Sequence, residues 1–278
     1  MELAAGQVAV VTGAARGIGA ALAEALVARG LRVAIADTDA AALQQVADAL
    51  GAQVIAVPTD VADLDQVRAL AARTLEVFGR IDLVINNAGI SAGGPSWEID
   101  PVAWNRLWAV NVGGVVNGVH VFTPHLIAAG HGHLVNIASL SGLTVGLFGA
   151  PYAASKAAIV SISESLRGEL ELLAPGVGVT VICPGPVDTQ MFRGLAQLAD
   201  PSADAPPEVL PAEIKEKLAP MMAVIAEMAE QTLPPARAAE IILDAVESGT
   251  LYATTHPDMA RAARDRTEAM LESFGTPR

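Results

Sequence analysis

Tyr152 and Lys156 stand four positions apart in a stretch, Tyr152 to Leu173, whose pattern predicts a helix. One helical turn separates them, so both side chains leave the same face toward one cleft. A phenol beside an ammonium can move a proton. To serve as a base at pH 7 to 8, tyrosine must lose roughly two to three units from its ordinary value near 10, or about 3 to 4 kcal/mol. One positive charge about 4 Å away, at an effective dielectric of about 20, supplies on the order of 4 kcal/mol. With two tyrosines and three lysines in 278 positions, chance would give 2 × 3/278 such pairs, roughly 0.02. Ser139, just beyond the apolar run His133 to Ile137, adds a hydroxyl able to stabilise charge on a reacting oxygen.

A second constellation lies near the start of the chain. The apolar run Val8 to Val11 leads into TGAARGIG, where Gly13, Gly17 and Gly19 turn strand into helix. Such glycines permit a tight bend, let backbone approach a pyrophosphate and allow close helix packing, while the helix N-terminus offers free N–H groups to an anion. The spacing is G-x-x-x-G-x-G, unlike the G-x-G-x-x-G of many dinucleotide folds. By themselves the glycines could be only a structural turn. The second strand, however, ends at Asp37, about twenty residues on, where a carboxylate can accept hydrogen bonds from adenosine ribose hydroxyls. Its charge repels a 2′-phosphate, which favours NAD over NADP, although Arg16 inside the turn offsets part of that repulsion.

The elements that must position these groups alternate regularly. Strand-length runs Val8 to Val11, Arg32 to Ala36, Gln53 to Val57 and Asp82 to Ile85 are separated by helix-length stretches ending at Gly30, Gly51 and Gly79. Asp63 with Gln66 resembles a capping box opening a helix with Leu64, Val67, Leu70 and Ala71 on one face. A helix from Trp104 to Ala129, a strand His133 to Ile137, the helix Tyr152 to Leu173 and a strand Gly178 to Cys183 continue the rhythm. It breaks for some forty residues after Thr189 and resumes with a helix Ala236 to Glu247, a strand Leu251 to Thr254 and a charged helix after Pro257. The expectation is a single α/β domain over 1–278, a doubly wound Rossmann-type parallel sheet, with a lid inserted at 189–235 and a helical extension at 256–278.

Composition narrows the partners. At 52% hydrophobic the chain can fill one sizeable core, and its aromatics amount to only 4%. A net charge of -13 argues against nucleic acid as a partner. The N-terminal run MELAAGQVAVVTG has no basic region before its apolar stretch and is broken before membrane-spanning length. Together with Cys183 as the only cysteine, this predicts a cytoplasmic protein without a membrane partner. His120, His125, His131 and His133 cluster, but no acidic residue lies between the first and last, and no metal site is expected. Trp97, Trp104 and Trp108 suit core or subunit packing, or substrate contact.

Taken in order, these motifs resemble the short-chain dehydrogenase/reductase family in its compact form, over nearly the whole chain. TGAARGIG is similar to its glycine turn, which implies cofactor contacts at Gly13, Arg16, Gly17, Ile18 and Gly19. Asp60 and Val61 resemble its adenine-contacting pair, and Asn86-Asn87-Ala88-Gly89 resembles its NNAG element, adding Asn87, Ala88 and Gly89 to the cofactor site. Asn111, Ser139, Tyr152 and Lys156 resemble its catalytic tetrad. The resemblance implies that Tyr152 takes the alcohol proton, that Lys156 also reaches the nicotinamide ribose, and that Asn111 holds a water behind Lys156. Pro184-Gly185-Pro186-Val187-Asp188-Thr189 resembles the PG-x-x-x-T segment, in which Val187 and Thr189 would contact the nicotinamide carboxamide, beside Pro184 and Gly185.

Several further expectations follow. The family's long helices commonly pair between subunits, which implies a homodimer or homotetramer. The Asp-Gly-Gly element that helps build many of its tetramers is missing from the C-terminal region. Leu143, Val145, Leu147 and Phe148, with Met191, Phe192, Leu195, Leu198, Met221 and Met222, supply apolar material for a pocket and adaptable lid, so the expected substrate is a bulky apolar secondary alcohol or its ketone. Two competing functions are a noncatalytic NAD-binding regulator or scaffold and another Rossmann-type enzyme such as a methyltransferase. The former leaves the intact Asn, Ser, Tyr and Lys set without a purpose, and the latter does not account for Tyr152 with Lys156.

Overall fold

The computed structural model describes residues 1–144, 146–197 and 212–275. The apolar runs become parallel strands: β1 (Val8–Thr12), β2 (Arg32–Asp37), β3 (Val54–Pro58), β4 (Leu83–Asn86), β5 (Gly132–Ile137), β6 (Val177–Ile182) and the two-residue β7 (Tyr252–Ala253). Their spatial order is β3-β2-β1-β4-β5-β6-β7. Every residue of β1, β4 and β5 is buried, as expected where helices cover both faces of a parallel sheet. The order reverses between β1 and β4, so a crevice opens beyond the carboxyl ends of those strands.

One face carries α1 (Gly17–Ala28), α2 (Ala40–Leu50) and α9 (Pro235–Ser248), whose Leu22, Leu26, Leu43 and Ile242 pack against Val11, Val33 and Ile35. The other carries α3 (Leu64–Phe78), α5 (Gly114–Ala129) and α6 (Ala150–Leu173), with Leu70, Phe122, Leu126 and Leu166 against Val8, Val10, Val84 and Leu134. Gly79 ends α3 at a φ of 78°, a left-handed conformation that favours glycine. The Asp63 carboxylate accepts from the amides of Asp65 and Gln66, while the Gln66 side chain donates back to it and accepts from the Asp60 amide. The capping box therefore closes through Asp60, because the Asp63 amide already donates to the Asp60 carbonyl.

The long central helix departs from expectation twice. It starts at Pro101, three residues before Trp104, because Asp100 caps α4 (Pro101–Trp108) and proline suits the first helical position. Between α4 and α5 a π-helical turn, Ala109–Gly113, brackets Asn111. Pro101–Ala129 is long and apolar enough to cross a membrane, yet it packs against α3, α6, β4 and β5 as a core helix does. The break after Thr189 contains α7 (Gln190–Gln197) and α8 (Ala212–Glu230), and its ends meet where Val187 bridges Leu233. The Pro-rich loop expected between Asp200 and Pro211 lies outside the described residues. The charged C-terminal helix forms as α10 (Arg261–Ser273).

Candidate active site

The glycine turn is built by close approach. A Cβ on Gly13 would stand 2.7 Å from Ala88 Cα, and one on Gly19 would stand 2.2 Å from the Gly13 carbonyl oxygen. Neither position tolerates a side chain. Asp39, Asp63 and Asp100 cap α2, α3 and α4, whereas no side chain caps α1. First-turn amides at Gly17, Ile18 and Gly19 therefore suit an anion, and the bend at Gly17 has a φ of 58°.

Asp37 sits at the end of β2, half-buried, accepting from the amides of Ala15 and Asp39. The Arg16 guanidinium pairs with the Asp39 carboxylate and donates to Gln190 Oε1 at 3.2 Å, both exposed contacts at the rim of the turn. Asp60 accepts from the Ala62 amide and from Arg106, and Val61 is buried against Gly114. Asn87 braces the turn: its side-chain amide donates to the carbonyls of Thr12 and Gly13, while the Asn87 and Ala88 amides donate to the Thr12 hydroxyl. A glycine-built turn, an uncapped helix start and a carboxylate at the β2 end together fit a pyridine dinucleotide.

The four residues expected to handle the proton converge beyond β4, β5 and β6. Lys156 is 3% exposed, with its ammonium donating to the Ile137 carbonyl at 2.8 Å and lying 5.6 Å from the Tyr152 ring centroid. Ser139 interacts with the Tyr152 phenol and accepts from the Ser141 amide. Asn111, fully buried in the π turn, accepts from the Ile90 amide and donates to the Ile90 carbonyl and Ser155 Oγ. A Cβ on Gly89 would lie 3.4 Å from Asn111 Oδ1 and 3.5 Å from Lys156 Nζ. The NNAG element thus connects the glycine turn with the cluster of Asn111 and Lys156.

Electrostatics depart from the expected sign at Tyr152. Burial raises its pKa above the ordinary 10, and the bond with Ser139 lowers it by less. Lys156, also buried, is pushed down to about 8. Desolvation dominates both shifts, and the Ile137 carbonyl, accepting from Lys156 Nζ at 2.8 Å, favours the ammonium without reversing the direction. Cys183 behaves as the buried hydrophobe its position suggests, its thiol pushed up to about 11 by burial.

The PG segment sits beside the same cluster. The Leu140 amide donates to the Pro184 carbonyl, the Gly185 amide to Thr255, and Thr189 lies against Gly17, whose Cβ would be 3.1 Å from Thr189 Cγ2. Phe148 takes a positive φ of 61°, with its carbonyl accepting from the Gly94 amide. Leu143 and Phe192 are half-buried, and Leu147 and Met191 are exposed; Val145, Leu198 and the side chain of Leu195 lie outside the described residues. The clustered histidines form no metal group among the described residues, and His133 is buried against Thr180 with its pKa lowered to about 4.

Sequence reasoning missed several supports. Ser155 joins Asn111 to the Tyr152 carbonyl, and Gly142 brings the Ser139 loop onto α6, where a Cβ would stand 2.7 Å from the Lys156 carbonyl carbon. A buried ladder, Asn86 to Asn136 to Ser163, ties β4, β5 and α6 together. The spacing Tyr152-x-x-Ser155 was visible, but a serine within a helix gives no sign of its partner.

A parallel doubly wound sheet with a glycine-built turn after β1 and a cluster of Asn111, Ser139, Tyr152 and Lys156 beside it defines the Rossmann-type class. A sequence model of the family described as short chain dehydrogenase matches residues 7–199. The chain belongs to this short-chain dehydrogenase/reductase family of oxidoreductases acting on alcohols. It is 42% identical over 193 residues to a 1-deoxy-11-beta-hydroxypentalenate dehydrogenase of Streptomyces exfoliatus, covering 67% of this chain and 70% of that protein. It is 37% identical over 197 residues to a sorbitol dehydrogenase of Cereibacter sphaeroides, covering 70% and 76%. A crystal structure of a family member from Burkholderia phymatum in complex with NAD superposes with a TM-score of 0.85 at 34% identity, covering 98% of this chain and 97% of that one.

Proposed function

We propose that the protein is an NAD-dependent dehydrogenase that interconverts a bulky, mostly apolar secondary alcohol and its ketone. The observation that carries this reading is the convergence of Tyr152, Lys156, Ser139 and Asn111 beside Gly89 and the uncapped glycine turn. Bound NAD would supply the hydride acceptor and a positive ring. Asp37 favours free ribose hydroxyls, and Arg16 is engaged by Asp39. Ser139 would hold the carbinol oxygen and Tyr152 would take its proton. Lys156, with the positive ring of bound NAD, would lower the cost of the phenolate, and Asn111, anchored on the Ile90 backbone, would hold a water behind Lys156 to complete a proton path to solvent.

The apolar substrate is supported by Leu143, packed near Ala138 and Leu140 on either side of Ser139, by Phe192, whose amide donates to Thr189, and by the exposed Phe148 and Met191. One relative is named for a hydroxypentalenate and another for sorbitol, so a test panel needs both apolar and polyol alcohols. NADH absorbance should rise with aryl or long-chain secondary alcohols well above short hydroxy acids or polyols. Efficient oxidation of a short hydroxy acid or sorbitol, with none of the apolar alcohols turned over, would overturn the substrate assignment and leave the dehydrogenase reading standing. We further propose that subunits pair through α5 and α6, where Ala154, Ala157 and Ser161 form an exposed line of small residues on α6.

A further inference from the structure

His256 follows β7 at the opening of the C-terminal extension and takes no part in the proton path. Its Nδ1 lies 2.7 Å from Thr255 Oγ1, and its Nε2 lies 2.9 Å from the Gln231 carbonyl oxygen. A carbonyl only accepts, so Nε2 carries the hydrogen in that bond. The Gly185 amide donates to Thr255 Oγ1 at 3.0 Å, and the hydroxyl is then free to donate to Nδ1. One chain of satisfied hydrogen bonds runs from Gly185 through Thr255 and the imidazole to the residue that follows α8.

The backbone around Gly185 makes this bond hard to replace. Pro184 and Pro186 have no N–H, so the Gly185 amide is the sole backbone donor over these three residues. Gly185 is not among the glycines with positive φ, so its conformation does not demand glycine. The imidazole does: a Cβ on Gly185 would stand 2.6 Å from His256 Nδ1 and 2.7 Å from Cγ. On either side the segment is held by others, the Pro184 carbonyl by the Leu140 amide and the Pro186 carbonyl by the Leu233 amide. Among the described residues, Thr255 holds its middle by a hydrogen bond and His256 by close packing.

We propose that His256 is a positioning residue: through Thr255 it sets the Pro184–Thr189 segment, and through Gln231 it ties that segment to the end of α8. The inference rests on the reading of this segment as the holder of the nicotinamide end of NAD. The cofactor's adenosine half would lie at Asp37 and Asp60, away from the imidazole, so losing His256 should affect one end of the ligand alone.

Calorimetric titration of the whole protein with NAD and with ADP-ribose, which lacks nicotinamide, tests this without relying on turnover. His256→Ala should weaken NAD about tenfold and leave ADP-ribose within about twofold of wild type. Thr255→Val, which removes the hydroxyl while keeping the shape, should act in the same direction and stands in if His256→Ala does not fold. Equal weakening of both ligands in the soluble variant, or of neither, would overturn the proposal. A wild-type protein that binds NAD but oxidises no alcohol in the panel fails the substrate reading only, whereas one that binds neither ligand overturns both.

Discussion

The side chains at the site are tuned by burial more than by each other. Tyr152→Phe should cut turnover at least about a hundredfold and leave NAD affinity nearly unchanged, because the hydroxyl acts on the proton and not on the cofactor. Steady-state kinetics and cofactor titration check this, and turnover within tenfold of wild type would remove Tyr152 from its role. Lys156 makes a pH prediction. Its ordinary value of 10.5 falls to about 8 in the fold, so between these values the unfolded chain holds a proton that the folded chain has released. Stability from this group therefore rises with pH from about 8 to 10.5, and below 8 the fold carries the full cost of burying the charge. That cost is on the order of 3 kcal/mol. Lys156→Met should abolish activity yet melt above wild type at pH 7, with a margin that shrinks toward pH 10. A margin independent of pH would contradict a buried charge.

At the scale of elements, helix ends decide what each turn can bind. Asp39 caps α2 through the Ala42 amide and also pairs with Arg16, so we propose that one carboxylate serves both the helix start and cofactor choice. Asp39→Asn retains a capping oxygen while releasing the guanidinium. It should raise kcat/KM with NADP several-fold with little change in melting temperature, and Asp37→Ala should add to this by removing the like charge at the 2′ position. If wild type already prefers NADP, or if the paired variants leave the ratio of the two cofactors unchanged, the balance of Arg16, Asp37 and Asp39 is not what selects the cofactor. The π turn at Ala109–Gly113 is a second device of this kind, presenting Asn111 to both backbone groups of Ile90 while the helix continues.

Across the whole molecule, the sheet brings the turns beyond its strands to one edge, and the exposed faces of α5 and α6 are the proposed subunit contact. Light scattering should give a multiple of the 28.4 kDa chain mass. Ala157→Arg places a long charge on the exposed α6 line and should shift the protein toward monomer without loss of helical signal. A wild-type monomer would refute the pairing, and an unaltered oligomer in the variant would move the contact elsewhere.

The strands, the Gly79 helix stop and the parallel order of β and α segments were legible because burial on two faces imposes unbroken apolar runs and left-handed stops favour glycine. The pairing of Tyr152 with Lys156 was legible because helical spacing is local. Sequence spacing could not show how deeply Tyr152 and Lys156 are buried, and burial sets the direction of both shifts. Nor could it show Arg16 turning to Asp39, Ser155 receiving Asn111, or His256 resting on Gly185, because each contact joins residues whose separation in sequence carries no period. Local pattern determined which elements form and where the chemistry-bearing residues sit on them; tertiary packing decided which partner each polar group meets, because a buried donor or acceptor bonds to whatever the fold places within about 3 Å.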